Sequence, residues 1–378
     1  TAVLWLGGLA IQTVTGIDWF TGMMMLAIFS TAYSLYGGLK AVAYTDIIQV
    51  VLLVFGGLIL SYLALDAVSD GAGVIAGFGV LTEKLPEHFD MILSSDNPAY
   101  MSLPGISVLV GGMWIMNLSY WGFNQYIIQR ALAAKDIREA QKGMAFAAYL
   151  KLVVPVIVVL PGIAAVVLYP NLSAPDQAYP SMIELMPVGI KGLVFAALVA
   201  AIVSSLASMT NSISTIFTMD IYRHLKPAKS QTHYVFVGRA ATLVSLVIAM
   251  IMAEPLLGKF DQAFQYIQEF TPGIVVIFLM GMFWRKASPA GAIAAALGSA
   301  VGSFVLKFTW PTLPFMDRMS VVFLLCLGLG VLVSLLRPRT QPSNTVDLSQ
   351  VSFATTPSFN LHTAIIAIIL IALYTTWW

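Results

Sequence analysis

The sequence predicts an all-α integral membrane protein, and three observations carry that prediction. The 378-residue chain is 59% hydrophobic and only 10% charged, with a mean hydropathy of +0.87, whereas a soluble domain is about 45–50% apolar and about 25% charged. The apolar residues fall into separate blocks of roughly 20, the length a helix needs to cross about 30 Å of hydrocarbon, and not into the ten-residue alternations of a barrel. Lysine and arginine also alternate between connections, as cytoplasmic and external loops of a helical membrane protein do. The net charge of +1 carries no information about nucleic acid, and the single cysteine, Cys326, excludes a disulfide framework and a cysteine-built metal site. Cys326 lies in an apolar block and is expected to pack there.

Apolar blocks and polar or Pro/Gly breaks place about eleven transmembrane helices near 1–16 (partial), 19–38, 44–66, 104–130, 142–169, 188–221, 235–256, 260–284, 288–307, 319–336 and 360–378. Thr1 lies inside the apolar run "TAVLWLGGLAIQTV", with no initiator Met, basic region or cleavage site before it, so a fragment beginning within a transmembrane helix is expected. The longer connections are an acidic loop at 67–103, a Pro-rich loop at 170–187 and a polar loop at 337–359. No soluble domain or low-complexity tract interrupts the chain, so 1–378 is expected to form a single transmembrane domain. Thirteen cations, from Lys40 to Arg339, collect on one set of connections; five, Lys84, Lys191, Lys259, Lys307 and Arg318, fall on the other. The richer set is assigned to the cytoplasm, which makes 67–103 and 170–187 extracellular and 337–359 cytoplasmic.

Polar residues inside the spans are the candidates for function. Asp46, in "YGGLKAVAYTDIIQ", sits at the cytoplasmic edge of its helix, where it is either an interfacial carboxylate or part of an ion exit. In 104–130, Asn117, Tyr120 and Trp121 occupy i, i+3 and i+4 and so share a face. Amides beside aromatic faces suit a sugar, whose hydroxyls want donors and acceptors and whose C–H face stacks on a ring; the same spacing also serves ordinary packing. Gln125 and Arg130 lie toward the cytoplasmic end, as caps or anchors. Lys151 lies about nine residues into its span, about 13 Å of rise, too deep for lipid, so it is expected to face a cavity or a partner group; a snorkelling or purely structural lysine is the alternative.

In 188–221, "AAIVSSLASMTNS" puts Ala201, Ser204 and Ser205 at i, i+3 and i+4. A backbone carbonyl and two hydroxyls there can replace part of the hydration shell of a hard cation such as Na+. Ala197, Ala201 and Ser205 also form a small-xxx-small series, so close helix packing is the competing reading. In 260–284, "FDQAFQYIQEFTPGIVVIFLMGMFW" carries Gln265, Gln268 and Glu269 just before Thr271-Pro272-Gly273. Proline removes a backbone donor, and polar residues beside a helix broken near the midplane point to a transporter's binding site; a simple kink is the alternative.

The segments "YGGLKAVAYTDIIQV", "YWGFNQYIIQRALAAKD", "EAQKGMAFAAYLKLVVP", "VVLPGIAA", "KGLVFAALVAAIVSSLASMTNS", "STIFTMDIY", "AFQYIQEF" and "PFMDRM" together resemble the sodium/solute symporter family, in its sodium–glucose type branch. The resemblance implies an inverted-repeat, LeuT-like core with a discontinuous helix near Pro272, alternating access, and Na+ as the coupling ion, with no enzymatic chemistry. It implies that Asn117, Lys151 and Gln268 hydrogen-bond a sugar, that Tyr120 stacks on it as a gate beside Trp121, and that Phe264 belongs to an outer gate. It further implies that Ala201, Ser204 and Ser205 bind Na+ and that Asp46 helps the ion leave. The chain departs from the family in running directly through "QEFTPG" without a small insert, and in a shorter loop around "YPNLSAPDQAYP". The expected activity is Na+-coupled symport of a galactose- or glucose-type sugar by a multi-pass protein of the plasma (inner) membrane, with sugar and lipid bilayer as its partners. A same-family carrier of myo-inositol, an amino acid or a vitamin, and a sensor or channel on this fold, are the alternatives.

Overall fold

The computed structural model describes residues 1–257, 265, 268–338 and 348–378, and the side chains of 35–43, 256, 257 and 350 lie outside that description. All secondary structure among the described residues is helical. Eight described helices are long and apolar enough to cross a membrane, or nine if the bent pair Ala2–Thr15 and Trp19–Ser34 is one span. Two of the eleven expected helices are this bent pair. The expected helix 260–284 is represented by Thr271–Phe283, whose 13 residues rise only about 20 Å. Two compact units divide the chain: Thr1–Phe89 with Phe146–Phe260, and Asp90–Ala145 with Asp261–Trp378.

In the first unit, Ala2–Thr15 ends on Gly16 at φ 74°, a left-handed cap whose N–H donates to Gln12 O, and the next helix starts at once on Asp18, whose side chain accepts from Thr21 N. Gly and Asp on either side of Ile17 therefore stop one helix and start another, and the chain turns by 120°. Trp5 and Trp19 meet edge to face at 4.6 Å across the turn. A Cβ on Gly8 would lie 2.9 Å from Trp19 O, so this approach requires a glycine.

The helix that follows is assigned continuously over Trp19–Val68, 50 residues and about 75 Å if straight. Its contacts show two arms instead. Leu26 packs with Leu206 in one buried cluster and Ser34 Oγ lies 3.3 Å from Thr210 Oγ1, so the first arm runs parallel to Val188–Thr215. Asp46 bonds Ser204, and Gly56 backs onto Val194, so the second arm runs antiparallel to the same helix. The hydrogen bond between Tyr33 OH and Thr45 Oγ1 joins residues that a straight helix would hold about 18 Å apart. The two expected spans, 19–38 and 44–66, are thus both present and share one partner.

"FGGL" lets the second arm pack closely. A Cβ on Gly56 would fall 2.4 Å from Val194 Cγ2 and one on Gly57 2.7 Å from Ile157 Cβ. Ile157 lies in a π-helical turn, Pro155–Val159, between Ile137–Val154 and Leu160–Leu168. Proline cannot donate to the ladder, and Ser61 Oγ bonds both Gly57 O and Val156 O, at 2.8 and 2.6 Å. Leu60, Ala64, Leu81, Ala164, Met182 and Ile183 close the core behind it. The acidic loop expected at 67–103 begins with a helix of its own, Val74–Lys84.

In the second unit the expected span 104–130 is broken. Gly105–Val110 and Gly112–Asn117 flank Gly111, a π-helical turn follows at Leu118–Phe123, and Gln125–Leu132 starts after the extended residue Asn124. Gly112 lets this segment touch the backbone of Phe315–Leu336, since a Cβ there would lie 2.4 Å from Met316 O. Thr271–Phe283, Pro289–Thr309 and Phe315–Leu336 pack together around Val276, Met280, Ala295, Val322 and Cys326. Cys326 is wholly buried there, as its sequence context implies. The buried face of Pro289–Thr309 consists of Gly291, Ala295, Gly298, Ser299, Gly302 and Ser303, so helices approach closely enough for hydroxyl-to-backbone bonds.

Candidate functional site

The hydroxyl-rich helix Val188–Thr215 carries Ser204 at 3% exposure and Ala201 and Ser205 half-buried one turn apart. Antiparallel packing of the 44–68 arm brings Asp46 to this point, and Ser204 Oγ donates to Asp46 Oδ1. Two residues 158 apart in sequence, singled out for separate reasons, are therefore one unit. A serine hydroxyl has one proton and two lone pairs. Once its proton is committed to the carboxylate, the oxygen's lone pairs face away and gain negative character, which suits it to a hard cation. Other hydroxyls of the helix are occupied otherwise. Thr210 Oγ1 bonds Leu206 O, Thr215 Oγ1 bonds Asn211 O, and Ser214 Oγ bonds Gly238 O at 2.8 Å. Lys151 belongs to the same unit and is exposed on Ile137–Val154, one turn before the π-helical break at Pro155.

The second unit holds the polar-aromatic group. Asn117 Nδ2 donates to Met113 O at 2.8 Å, and its Oδ1 accepts from Trp121 Nε1 at 3.1 Å, which confirms the shared face. Tyr120 stands edge to face against Trp121 at 5.1 Å and against Tyr126 at 6.1 Å, and its hydroxyl accepts from Tyr126 OH at 2.8 Å. Tyr120 and Trp121 expose 40% and 37% of their surface. Sequence spacing does not reveal Tyr126, because residues six apart are not neighbours on a helix. The π-helical turn and the extended Asn124 bring it back onto Tyr120.

Gln268 is half-buried where Thr271–Phe283 begins, with Pro272 in the first turn. Its Oε1 accepts from Thr271 Oγ1 at 2.6 Å, leaving the amide nitrogen to point elsewhere. Glu269 is 2% exposed and pairs with Lys307 Nζ at 3.8 Å. Phe264 lies outside the described residues. The helix break expected at Thr271-Pro272-Gly273 is present, and the polar residues stand on its leading side.

Residues 1–299 match the Sodium:solute symporter family. The chain belongs to this family. It is accordingly a multi-pass membrane protein and a Na+-coupled transporter, not an enzyme. The symporter is 47% identical over its whole length to a sodium/glucose cotransporter of Vibrio parahaemolyticus, spanning 74% of that protein. It is 34% identical to the sodium/myo-inositol cotransporter 2 of Sus scrofa over 82% of this chain, and spans about half the length of that relative, 51%. A solved structure of a Na+-coupled sialic acid symporter, in a substrate-bound outward-open state, superposes with a TM-score of 0.73 at 24% identity, covering 91% of this chain and 71% of the other. At that identity the likeness establishes the shared fold.

Proposed function

We propose that this symporter carries a galactose- or glucose-type sugar across the plasma membrane, with Asn117, Tyr120, Trp121, Lys151 and Gln268 as its sugar contacts. The observation that carries this reading is the Asn117–Trp121–Tyr120–Tyr126 group, which sets fixed donors and acceptors beside two exposed aromatic rings. A hexose needs both kinds of surface, and an amino acid would call for a matched pair of charges instead. The sodium/glucose name of the 47% identical relative supports a hexose. The myo-inositol relatives favour a second polyhydroxylated ring as the runner-up, and competition between the two solutes separates them.

Na+ is bound by Ala201 O, Ser204 Oγ and Ser205 Oγ, with Asp46 orienting the Ser204 hydroxyl and receiving the ion as it leaves toward the cytoplasm. Phe264 acts in the outer gate. One Na+ entering down 100 mV supplies about 2.3 kcal/mol, and its concentration gradient adds to this. Coupling follows if bound Na+ favours the conformation that also binds sugar, since a ligand shifts an equilibrium only by its differential affinity for the two states. The test is uptake of labelled galactose by the full-length protein in liposomes under an imposed Na+ gradient. Gradient-dependent uptake, weakened by Ser205→Ala and by Gln268→Ala, is expected. Uptake indifferent to Na+ and to Ser205→Ala would remove the ion site, and a KM unmoved by Gln268→Ala would remove the sugar site.

A further inference from the structure

A regular helix would bond Gly273 N–H to Glu269 O, four residues back. Here the side chain of Ser299, from Pro289–Thr309, occupies that rung. Gly273 N donates to Ser299 Oγ at 3.1 Å, and Ser299 Oγ donates to Glu269 O at 2.9 Å. Rungs on either side of the break survive: Glu269 N bonds Gln265 O at 3.1 Å and Ile274 N bonds Phe270 O at 3.3 Å. The rung just before the Gly273 one, Pro272 to Gln268 O, has no donor at all, because proline lacks an N–H. Among the described residues, Gln268 and Glu269 are those whose carbonyls the break releases from the ladder. Ser303 Oγ adds a second donor to Glu269 O at 3.1 Å, and the Glu269 side chain is tied to Lys307 on the same helix.

Proline alone would open one side of this helix without setting by how much. A side chain inserted into the ladder sets a kink because it adds its own width to the rung. The fit is close: a Cβ on Gly273 would lie 2.6 Å from Ser299 Cβ and 2.8 Å from Ala295 O, so glycine is required for the hydroxyl to enter. Ser299 is fully buried; its proton and one lone pair are used on the break, and its oxygen also meets the Cys326 thiol.

We propose that Ser299 is a positioning residue for substrate binding: its inserted hydroxyl holds the break at the angle that presents the Gln268 amide. The Glu269–Lys307 pair and Ser303 tie Glu269, on the leading side of the break, to Pro289–Thr309, while Ser299 bonds residues on both sides of it. This inference rests on the reading of Gln268 as a sugar contact.

The experiment compares Ser299→Ala, Ser303→Ala, Gln268→Ala and Ser299→Ala/Gln268→Ala as full-length proteins in liposomes, with uptake normalised to reconstituted protein. Ser299→Ala is expected to raise the sugar KM roughly three- to tenfold, the scale of one lost hydrogen bond, with the Na+ K0.5 unchanged. A merely structural role would lower Vmax through loss of active protein and leave KM in place. Ser303→Ala is expected to shift KM less, because Glu269 O keeps its bond from Ser299. In the Gln268→Ala background, Ser299→Ala is expected to add no further rise. If Gln268→Ala raises KM but Ser299→Ala does not, or the two effects simply add, the positioning role is overturned while the sugar contact stands. If Gln268→Ala itself leaves KM unchanged, the sugar contact is refuted and the positioning role falls with it.

Discussion

Replacing Asp46 by Asn tests whether the carboxylate acts on Na+ through Ser204. The asparagine keeps the size of the side chain and an oxygen that can accept the Ser204 proton, but it removes the charge that polarises the hydroxyl. Hydrogen bonds to charged groups contribute about 1.5–3 kcal/mol, against about 0.5–1.5 kcal/mol for neutral pairs, so the change costs on the order of 1–1.5 kcal/mol. Asp46 is only half-buried, and solvent screens part of its field, which places the effect at the lower end of that range. At about 1.4 kcal/mol per factor of ten, the Na+ K0.5 for uptake should rise about fivefold. The assay is sugar uptake against external Na+ at saturating sugar, for Asp46→Asn, Ser204→Ala and the double variant. Because the carboxylate works through a hydroxyl that Ser204→Ala deletes, the double variant should be no worse than Ser204→Ala. Independent, multiplying effects, or an unchanged K0.5 in Asp46→Asn, would refute the coupling of these two residues.

Two further predictions follow from the packing. Trp121→Phe keeps an aromatic ring but removes the N–H that holds Asn117 Oδ1, so it should raise the sugar KM a fewfold with Na+ dependence intact; a KM equal to that of the parent protein would show that the Asn117 amide needs no such anchor. Gly77→Ala would place a Cβ 1.9 Å from Leu65 O, a backbone atom that cannot step aside, so overpacking of about 1–3 kcal/mol or more should lower the unfolding temperature in detergent. An unchanged melting curve would contradict the close seating of Val74–Lys84 against the 44–68 arm.

Much of the fold was legible because the bilayer imposes length and polarity on every span. Blocks such as 188–221 and 288–307 correspond to Val188–Leu225 and Pro289–Thr309 within a few residues. The turn at Gly16 and Asp18 and the break at Pro272 were legible too, since each depends on what one residue type permits or lacks. Continuity was harder to read. The span 104–130 reads as one block in the sequence, yet it is interrupted at Gly111 and distorted at Leu118–Phe123, where packing against Phe315–Leu336 overrides local propensity. Asp46 and Lys151 stood out as charges in apolar surroundings, but a charge in a one-dimensional pattern does not name its partner.

By itself, then, the sequence determined that this is a helical membrane protein, roughly where it crosses, and which polar residues lie at membrane depth. Composition and block length suffice for that, because each helix satisfies its own backbone and reports its environment locally. Only the tertiary structure decided which of these residues act together. The hydroxyls of Val188–Thr215 are alike in spacing, and antiparallel packing of a distant arm selects Ser204 by setting Asp46 against it. The proline of "QEFTPG" announces a break, but a serine 26 residues after Gly273 fills it. Such pairings depend on helix-to-helix distances of a few ångströms, set by glycines and small side chains on neighbouring helices, and no periodicity along one segment encodes them.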